Sequence, residues 1–505
     1  MPNFLGLDIG TTNIKAVLLD IGQGKIISTV SLPTPIHHSG PNQDEHDPQV
    51  LFTTIAQCIK RSIGSYPVHA LGVSSLAEAG LPLNRSGNPL FPIIAWYDPR
   101  SQPQADRILK SFSEKRLFEI TGQKVSFSFG LFKYLWIKES YPDRIRDIAC
   151  WLSVPDYILY RLTSKKATEY TQASRTMLFD QNKRDWSEEL LSYAGLEPSK
   201  LPTLLPSGTV MGTITQDASD LTGLPAGMPC VLGGHDHLCG AFASGGIRAG
   251  KVIDSSGTAC AVMALTSRFN PEKKIAESGF VNYIHVVPDV YVLKGGLKTA
   301  GKAVEWLASF IGNDGHFDNN LLLKHYEKNI NERPLWLPFF HGSGTPGIEP
   351  FNRASLIGLT LEHSREDIVI ALFEGLGFWL RENIETIQKI TGTRPKDIIA
   401  IGGANQNPLM RMIKASITNY PVNSPTVPEA SAVGAALLAA VGTGAIASFQ
   451  EAPEILDYPV QVIYPDPDWV NCYNLIYERV YLSAKTKLTE INKVMHEINY
   501  LFGGN

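Results

Sequence analysis

Four stretches of the chain hold residue types that could bind a metal or move a phosphoryl group. The first is GGHDH, Gly233 to His237, with Asp236 between two imidazoles. Two chemistries fit it. His235 and His237 lie two residues apart, so in an extended segment they share a face and could ligate a transition metal. Alternatively, Asp236 accepts a proton at the end of the apolar run VLGG, with His235 structural and His237 beside a substrate. No C-x-x-C or H-x-x-E-H spacing supplies further ligands, and His37-His38 falls in a Pro/Gly-rich stretch that reads as a solvated loop. The proton acceptor is therefore the stronger reading.

The second and third stretches are DIGTT, Asp8 to Thr12, and SSGT, Ser255 to Thr258. Gly10 and Gly257 allow the backbone to approach an anion closely, and successive N–H groups in such turns can enclose it. Thr11, Thr12 and Thr258 add hydroxyls, Asp8 offers a hard oxygen to Mg²⁺, and Lys15 could bring charge near a phosphoryl group. Asp, Gly and Thr also build plain β-turns. Two such turns, one in each half of the chain, favour a grip on a polyphosphate from two sides. The fourth stretch, IGGANQNPLM, follows a strand and opens a helix, which suits an adenosine or phosphate contact at Gly402, Gly403 and Asn407. It is also an ordinary way to begin a helix.

A carbohydrate pocket has its own candidates. VSSLAEAGLPLN carries Glu78, and IIAWYDPRSQPQA carries Trp96, Asp98 and Arg100. Aromatic faces pack on the C–H surface of a polyol, while carboxylates and Arg bind its hydroxyls. The plainer alternative puts Trp96 in the core and makes Asp98–Arg100 a surface pair.

These residues need a frame, and 505 residues are too many for one hydrophobic core. FLGLDIGTTNIKAVLLD and KVIDSSGTACAVMAL each read as strand, Gly-Thr turn, strand, and each is followed by segments of helical length, Asp47 to Ile63 and Thr299 to Ile311. Two similar α/β halves are expected, with a boundary in GGIRAG, giving domains 1–247 and 248–505. Further on, Arg365 to Ile390 reads as a long helix, Ile398 to Gly403 as a buried strand and Leu409 to Thr418 as another helix. The uncharged run Ser431 to Phe449 is long enough to span a bilayer. Its Ala, Gly, Ser and Thr content instead predicts a tightly packed internal helix and a Gly-rich turn. MPNFLGLDIG reads as a strand, not a signal peptide. A net charge of -4 gives no reason to expect nucleic acid or membrane partners. Six scattered cysteines suit reduced, buried thiols in a cytoplasmic protein.

The ordered set of motifs resembles the FGGY carbohydrate kinases, ATP-dependent sugar and polyol kinases with the actin-like, ribonuclease H-like fold. DIGTTNIKAV resembles the family's first phosphate motif and SSGTACAV its second. GGHDHLCGAF stands where the family carries its catalytic aspartate, and TQASRTMLFD is similar to a segment of its first domain. GLTLEHSREDIVIALFEGLGFWLRENIE is similar to the family signature; GGANQNPLMRMIKAS and PEASAVGAALLA resemble the adenosine region.

The resemblance implies two actin-like ATPase domains with ATP and Mg²⁺ in the cleft and Asp236 as general base. Asp8 would meet the metal. Gly10, Thr11, Thr12, Asn13, Lys15, Gly257, Thr258, Gly301, Gly402, Gly403 and Asn407 would surround ATP. Glu78, Trp96, Asp98, Asp236 and His237 would face the sugar. Xylulokinase-like members carry Gln-Met-His where this chain has Leu76-Ala77-Glu78. The glutamate is closer to glycerol kinases, whose preceding arginine is Ala77 here. Phe127 and Phe129 fall in a pocket-lining region and would make one side apolar. A ketopentose such as xylulose or ribulose is the first expectation, with a short polyol or gluconate as the alternative. Homodimers are common in the family. The rival from another class is an actin-like ATP-dependent switch, which would need both phosphate turns but neither Asp236 nor the Glu78–Trp96 pocket.

Overall fold

The computed structural model describes residues 2–311, 317–328 and 333–502. Strand β1 (Asn3–Ile9) is apolar on both faces and lies mid-sheet. It turns at residues 10–12 into antiparallel β2 (Asn13–Asp20), in a register running from Asn3 opposite Asp20 to Ile9 opposite Ile14. β3 (Lys25–Pro33) pairs with β2 at the sheet edge, where exposed positions alternate with less exposed ones. Helix α1 (Pro48–Ile63) starts where the Asp47 carboxylate accepts the N–H groups of Gln49 and Val50. It leads to β4 (Ala70–Ser75), parallel to β1; β5 (Pro229–His235) is parallel to β4 and runs straight into α2 (Asp236–Ala243).

The second sheet repeats this plan. β6 (Val252–Ser256) and β7 (Cys260–Thr266) form a hairpin, and β8 (Tyr291–Leu297) pairs antiparallel with β7. Helices α3 (Gly301–Ile311) and α4 (Arg365–Thr391) follow, then β9 (Ile398–Ile401), parallel to β6. α5 (Pro408–Thr418), β10 (Val422–Pro425) and α6 (Ala430–Gly442) complete the set used below. The inner strand orders, β3-β2-β1-β4-β5 and β8-β7-β6-β9-β10, match in sequence and in direction of pairing. Two sheets of this order, with helices between their parallel strands, are two actin-like ATPase domains.

The long α4 carries a capping box between Ser364 and Asp367 and ends at Thr391, one residue beyond the expected end, where Gly392 takes the left-handed conformation. The Ala-rich run is the internal helix α6, buried over most of its length, and no described helix is long and apolar enough to cross a membrane. Although it comes from the second half of the sequence, α6 packs on β1, β4, β5 and α2 of the first sheet. Only glycines permit that approach. A Cβ on Gly6 or Gly72 would overlap the carbonyl oxygens of Ala432 or Ala435, and one on Gly434 would overlap the Cys239 carbonyl. One apolar cluster accordingly joins both sheets through α2 and α6. His37 and His38 are exposed as expected, but they lie in a short edge strand, not a loop, and His38 Nδ1 is 2.5 Å from the Asp44 carboxylate.

Candidate active site

Asp236 is the first residue of α2, and its place follows from the end of β5. The register of β5 against β4 slips between Leu232 and Gly234, and a Cβ on Gly233 would overlap the Val73 carbonyl. The chain therefore leaves the sheet at His235 and turns Asp236 into the first turn of a helix. The His237 N–H donates to Asp236 Oδ1 at 2.6 Å, His235 Nε2 lies 3.2 Å from the same oxygen, and Ser431 on α6 donates to the Asp236 carbonyl at 3.0 Å. Burial raises the Asp236 carboxyl to about 6; the His237 N–H opposes this, Glu78 adds to it, and Lys294 and Arg175 oppose it. A group that charges near neutral pH suits a general base.

The three donor atoms of His235, Asp236 and His237 lie within 4.8 Å of one another, and no other such group occurs among the described residues. Zinc sites close with a fourth ligand or keep it open for water over three strong donors. Here Asp236 Oδ1 is already engaged by a backbone N–H, and His235 is buried beside it.

On the same sheet, with β4 between its strand β1 and β5, Asp8 accepts a hydrogen bond from Ser74 at 3.1 Å. Burial first, then the charge of Asp236, raises its carboxyl to about 7. The nearby Asp236 charge thus disfavours a second bare carboxylate at Asp8, and a hard oxygen so placed fits Mg²⁺. The adjoining turn is tight: the Gly10 N–H donates to the Asn13 carbonyl at 3.0 Å, and Thr34 pins the turn through its hydroxyl to the Gly10 carbonyl at 2.8 Å. Thr11 Oγ1 accepts from Trp96 Nε1 at 2.9 Å, which joins the first turn to the expected sugar segment. Lys15 does not point a free charge at this turn; its Nζ is 2.6 Å from Glu429 on the approach to α6.

The second turn is built from three separated glycine elements. The Gly301 N–H donates to the Gly257 carbonyl at 2.9 Å, while Ala300 and Lys302 N–H groups donate to the Thr258 carbonyl at 3.0 and 3.1 Å. Gly402, at φ 90°, lies against Ser256, where a Cβ would collide with the carbonyl; a Cβ on Gly403 would meet open space. Asn407 caps α5, accepting from Leu409 N–H at 3.0 Å, and its amide donates to Asn319 at 3.0 Å. Beneath the turn, buried Lys414 lies 2.5 Å from Asp254 and donates to Ser256 and Asn405, each at 2.9 Å.

Between the two domains lies a cavity of about 630 Å³, with Phe129, Arg175 and His237 on one wall and Ser255, Thr258 and Lys294 on the other. Family models for the N-terminal and C-terminal domains of the FGGY family of carbohydrate kinases match residues 3–243 and 254–443. The chain belongs to this family.

Xylulose kinase from Staphylococcus xylosus is 28% identical over 495 residues, covering 95% of this chain and 100% of the relative. L-fuculokinase from Escherichia coli K12 is 27% identical, covering 92% and 98%. The crystal structure of xylulose kinase from Rhodospirillum rubrum superposes with a TM-score of 0.88 at 25% identity, over 97% of this chain and 100% of that one. Gluconate kinase from Lactobacillus acidophilus shares the fold at a TM-score of 0.86 and 22% identity, over 97% and 98%. The protein is thus a carbohydrate kinase that uses ATP and a small sugar, and membership in the family removes the actin-like switch as a rival.

On the sugar side the kinase differs from expectation at Asp98. Asp98, expected to meet a hydroxyl, is fully buried, and its oxygens accept from Asp44 N–H at 2.8 Å, Arg100 N–H at 2.9 Å and the Arg100 guanidinium at 2.7 Å. Lone pairs so occupied cannot serve a ligand, so Asp98 fixes the loop that carries Trp96. Neither does it form a surface pair, because Arg100 is buried with it. Trp96 itself is 37% exposed, and buried Lys133 reaches its carbonyl from below at 3.4 Å.

Glu78, at φ 69°, is brought to the cavity rim by a strained backbone and pairs with Arg175 through Nε at 2.7 Å and through Nη2. Phe129 lines the cavity under Arg175, whose guanidinium stands 4.9 Å from the ring centroid; Phe127 packs partly buried nearby. Arg175 and Lys294 were absent from the expected site. Arg175 lies within the family-like TQASRTMLFD, and Lys294 is a lone charge in the apolar strand YVLKGGL; both were visible signals.

Proposed function

We propose that the kinase transfers the γ-phosphoryl group of ATP to a hydroxyl of an open-chain sugar, with Asp236 accepting the hydroxyl proton. The observation that carries this reading is the Asp236 carboxylate at the start of α2, raised to about 6 and next to His237, which lines the interdomain cavity together with the Gly257–Thr258 turn. Asp236 would take the proton as the hydroxyl attacks, while N–H groups and hydroxyls around Gly10–Thr12 and Gly257–Thr258 hold the phosphates in line. Asp8 would hold Mg²⁺, whose charge offsets the phosphate oxygens; the mutual repulsion of Asp8 and Asp236 supports that role. Gly301, Gly402 and Gly403 keep the backbone low beneath the nucleotide, and Glu78, Arg175, Trp96 and His237 would surround the acceptor. Closure of the domains would exclude water, which otherwise competes for the phosphoryl group.

Two acceptor classes have support. Xylulose kinases among the relatives favour a ketopentose such as xylulose or ribulose. The cavity wall favours a sugar acid such as gluconate: it carries Lys124, Arg175, Lys294 and Lys298, of which only Arg175 is matched by Glu78 at the rim. An ADP-release screen over ketopentoses, polyols and aldonates tests the proposal. One class should raise ADP release well above the sugar-free rate; equal rates with every acceptor would overturn it.

A further inference from the structure

Lys294 has no hydrogen-bond or ion-pair partner among the described residues, although it is half-buried and lines the cavity beside His237. The other buried cation of that cavity, Arg175, is matched by Glu78. The Lys294 charge is felt by the groups around it: it is the leading cause holding the His237 imidazole in its neutral form, and it lowers the proton affinity of Asp236. Such a group is kept where a ligand supplies the counter-charge.

Its position separates it from the phosphate turn. β8 alternates, so Lys294 and Gly296 face the cleft while Leu293 and Gly295 are buried. Leu297 stands opposite Cys260, next to the second turn, but Lys294 stands opposite Met263, three residues back. At about 3.3 Å per residue that is roughly 10 Å along the strand, on the side of His237. Gly296, without a side chain, leaves the floor between Lys294 and Lys298 open. Lys298 therefore lies by the turn, and Lys294 lies by His237.

We infer that Lys294 is a specificity-determining residue that receives a carboxylate of the acceptor, so that a sugar acid is phosphorylated in preference to a neutral sugar of the same length. This rests on the kinase reading and deepens it. The other charged groups facing the spot are Asp236 on α2, the Glu78–Arg175 pair and Lys124; none of the cations among them is both unmatched and adjacent to His237.

The test is steady-state ADP release by the full chain with five- and six-carbon aldonates and with neutral ketopentoses, for wild type, Lys294→Met and Lys294→Arg. Wild type should prefer an aldonate by at least about tenfold in kcat/KM, as expected for a hydrogen bond to a charged group. Lys294→Met should lose that preference through the aldonate KM, with the ATP KM changed less than about twofold, and Lys294→Arg should restore most of it. Thermal protection of wild type by aldonate alone, absent in Lys294→Met, gives a readout independent of turnover. A wild-type preference for a neutral ketopentose, or a rise in ATP KM in Lys294→Met with the aldonate KM unchanged, overturns the inference and leaves the kinase reading standing. No stimulation by any acceptor overturns both.

Discussion

Acid should silence the kinase well above the pH at which an ordinary aspartate titrates. Asp236 is the proposed base, so its charged form carries the activity, and burial has moved it from 3.8 to about 6. The displacement, about two units, corresponds to roughly 3 kcal/mol between its two protonation states. At about pH 5, roughly one tenth of a group with pKa near 6 is ionised, so kcat/KM should fall about tenfold from its value at pH 8; an unshifted aspartate would lose less than about 10% there. The assay is kcat/KM for the best acceptor over pH 4.5 to 8, with saturating Mg-ATP and a stability control at each pH. The arms around Asp236 give a second reading. Glu78 raises its proton affinity and Arg175 lowers it, so Glu78→Gln, which also frees Arg175, should move the acid limb to lower pH. A profile flat down to about pH 5, or a limb that moves upward in Glu78→Gln, would refute the electrostatic account of the base.

Asp8 makes the opposite kind of prediction, about stability. Its folded pKa of about 7 exceeds the ordinary aspartate value of 3.8, so its stabilising contribution is complete below about pH 4 and is lost as pH rises through about 7. Asp8→Asn should therefore raise the melting temperature at pH 8 while abolishing turnover, and Mg²⁺ should stabilise wild type but not the variant. Lys414→Met strands the Asp254 charge inside the protein and should cost about 3–5 kcal/mol in urea denaturation, most of it recovered in Asp254→Leu/Lys414→Met. Gly434→Ala should cost at least about 1–3 kcal/mol, because the new methyl meets the Cys239 carbonyl where α6 crosses α2; calorimetry would show an unchanged melting temperature if that contact is slack.

Much of the fold was legible because its signals are local. The two hairpins announce themselves by Asp, Gly and Thr between apolar strands, and α1 and α4 by helical spacing with Asp47 and Ser364 as caps. The Ala-rich composition of α6 predicted a buried helix, since only small residues allow such close packing. Which sheet it would cover was not legible; that depends on Gly6 and Gly72, some 360 or more residues away in sequence. Site chemistry divides in the same manner. Asp236 stands out by its flanking glycines and histidines. Two of the charges that oppose the effect of its burial, Arg175 and Lys294, come from different elements and meet only across the cleft. Asp98 misled because its type suits a sugar hydroxyl, while its lone pairs are consumed by Arg100 and the Asp44 N–H. The Asp254–Lys414 pair joins positions 160 residues apart, and no local pattern could reveal it.

The most direct measurement replaces one carboxylate and leaves the nucleotide site intact. Asp236→Asn should lose at least about a hundredfold in phosphorylated-sugar formation, within the usual contribution of a general base, while its affinity for ATP measured by calorimetry stays within about twofold of wild type. Sugar phosphate formed at the wild-type rate by that variant would contradict the claim that Asp236 takes the acceptor proton.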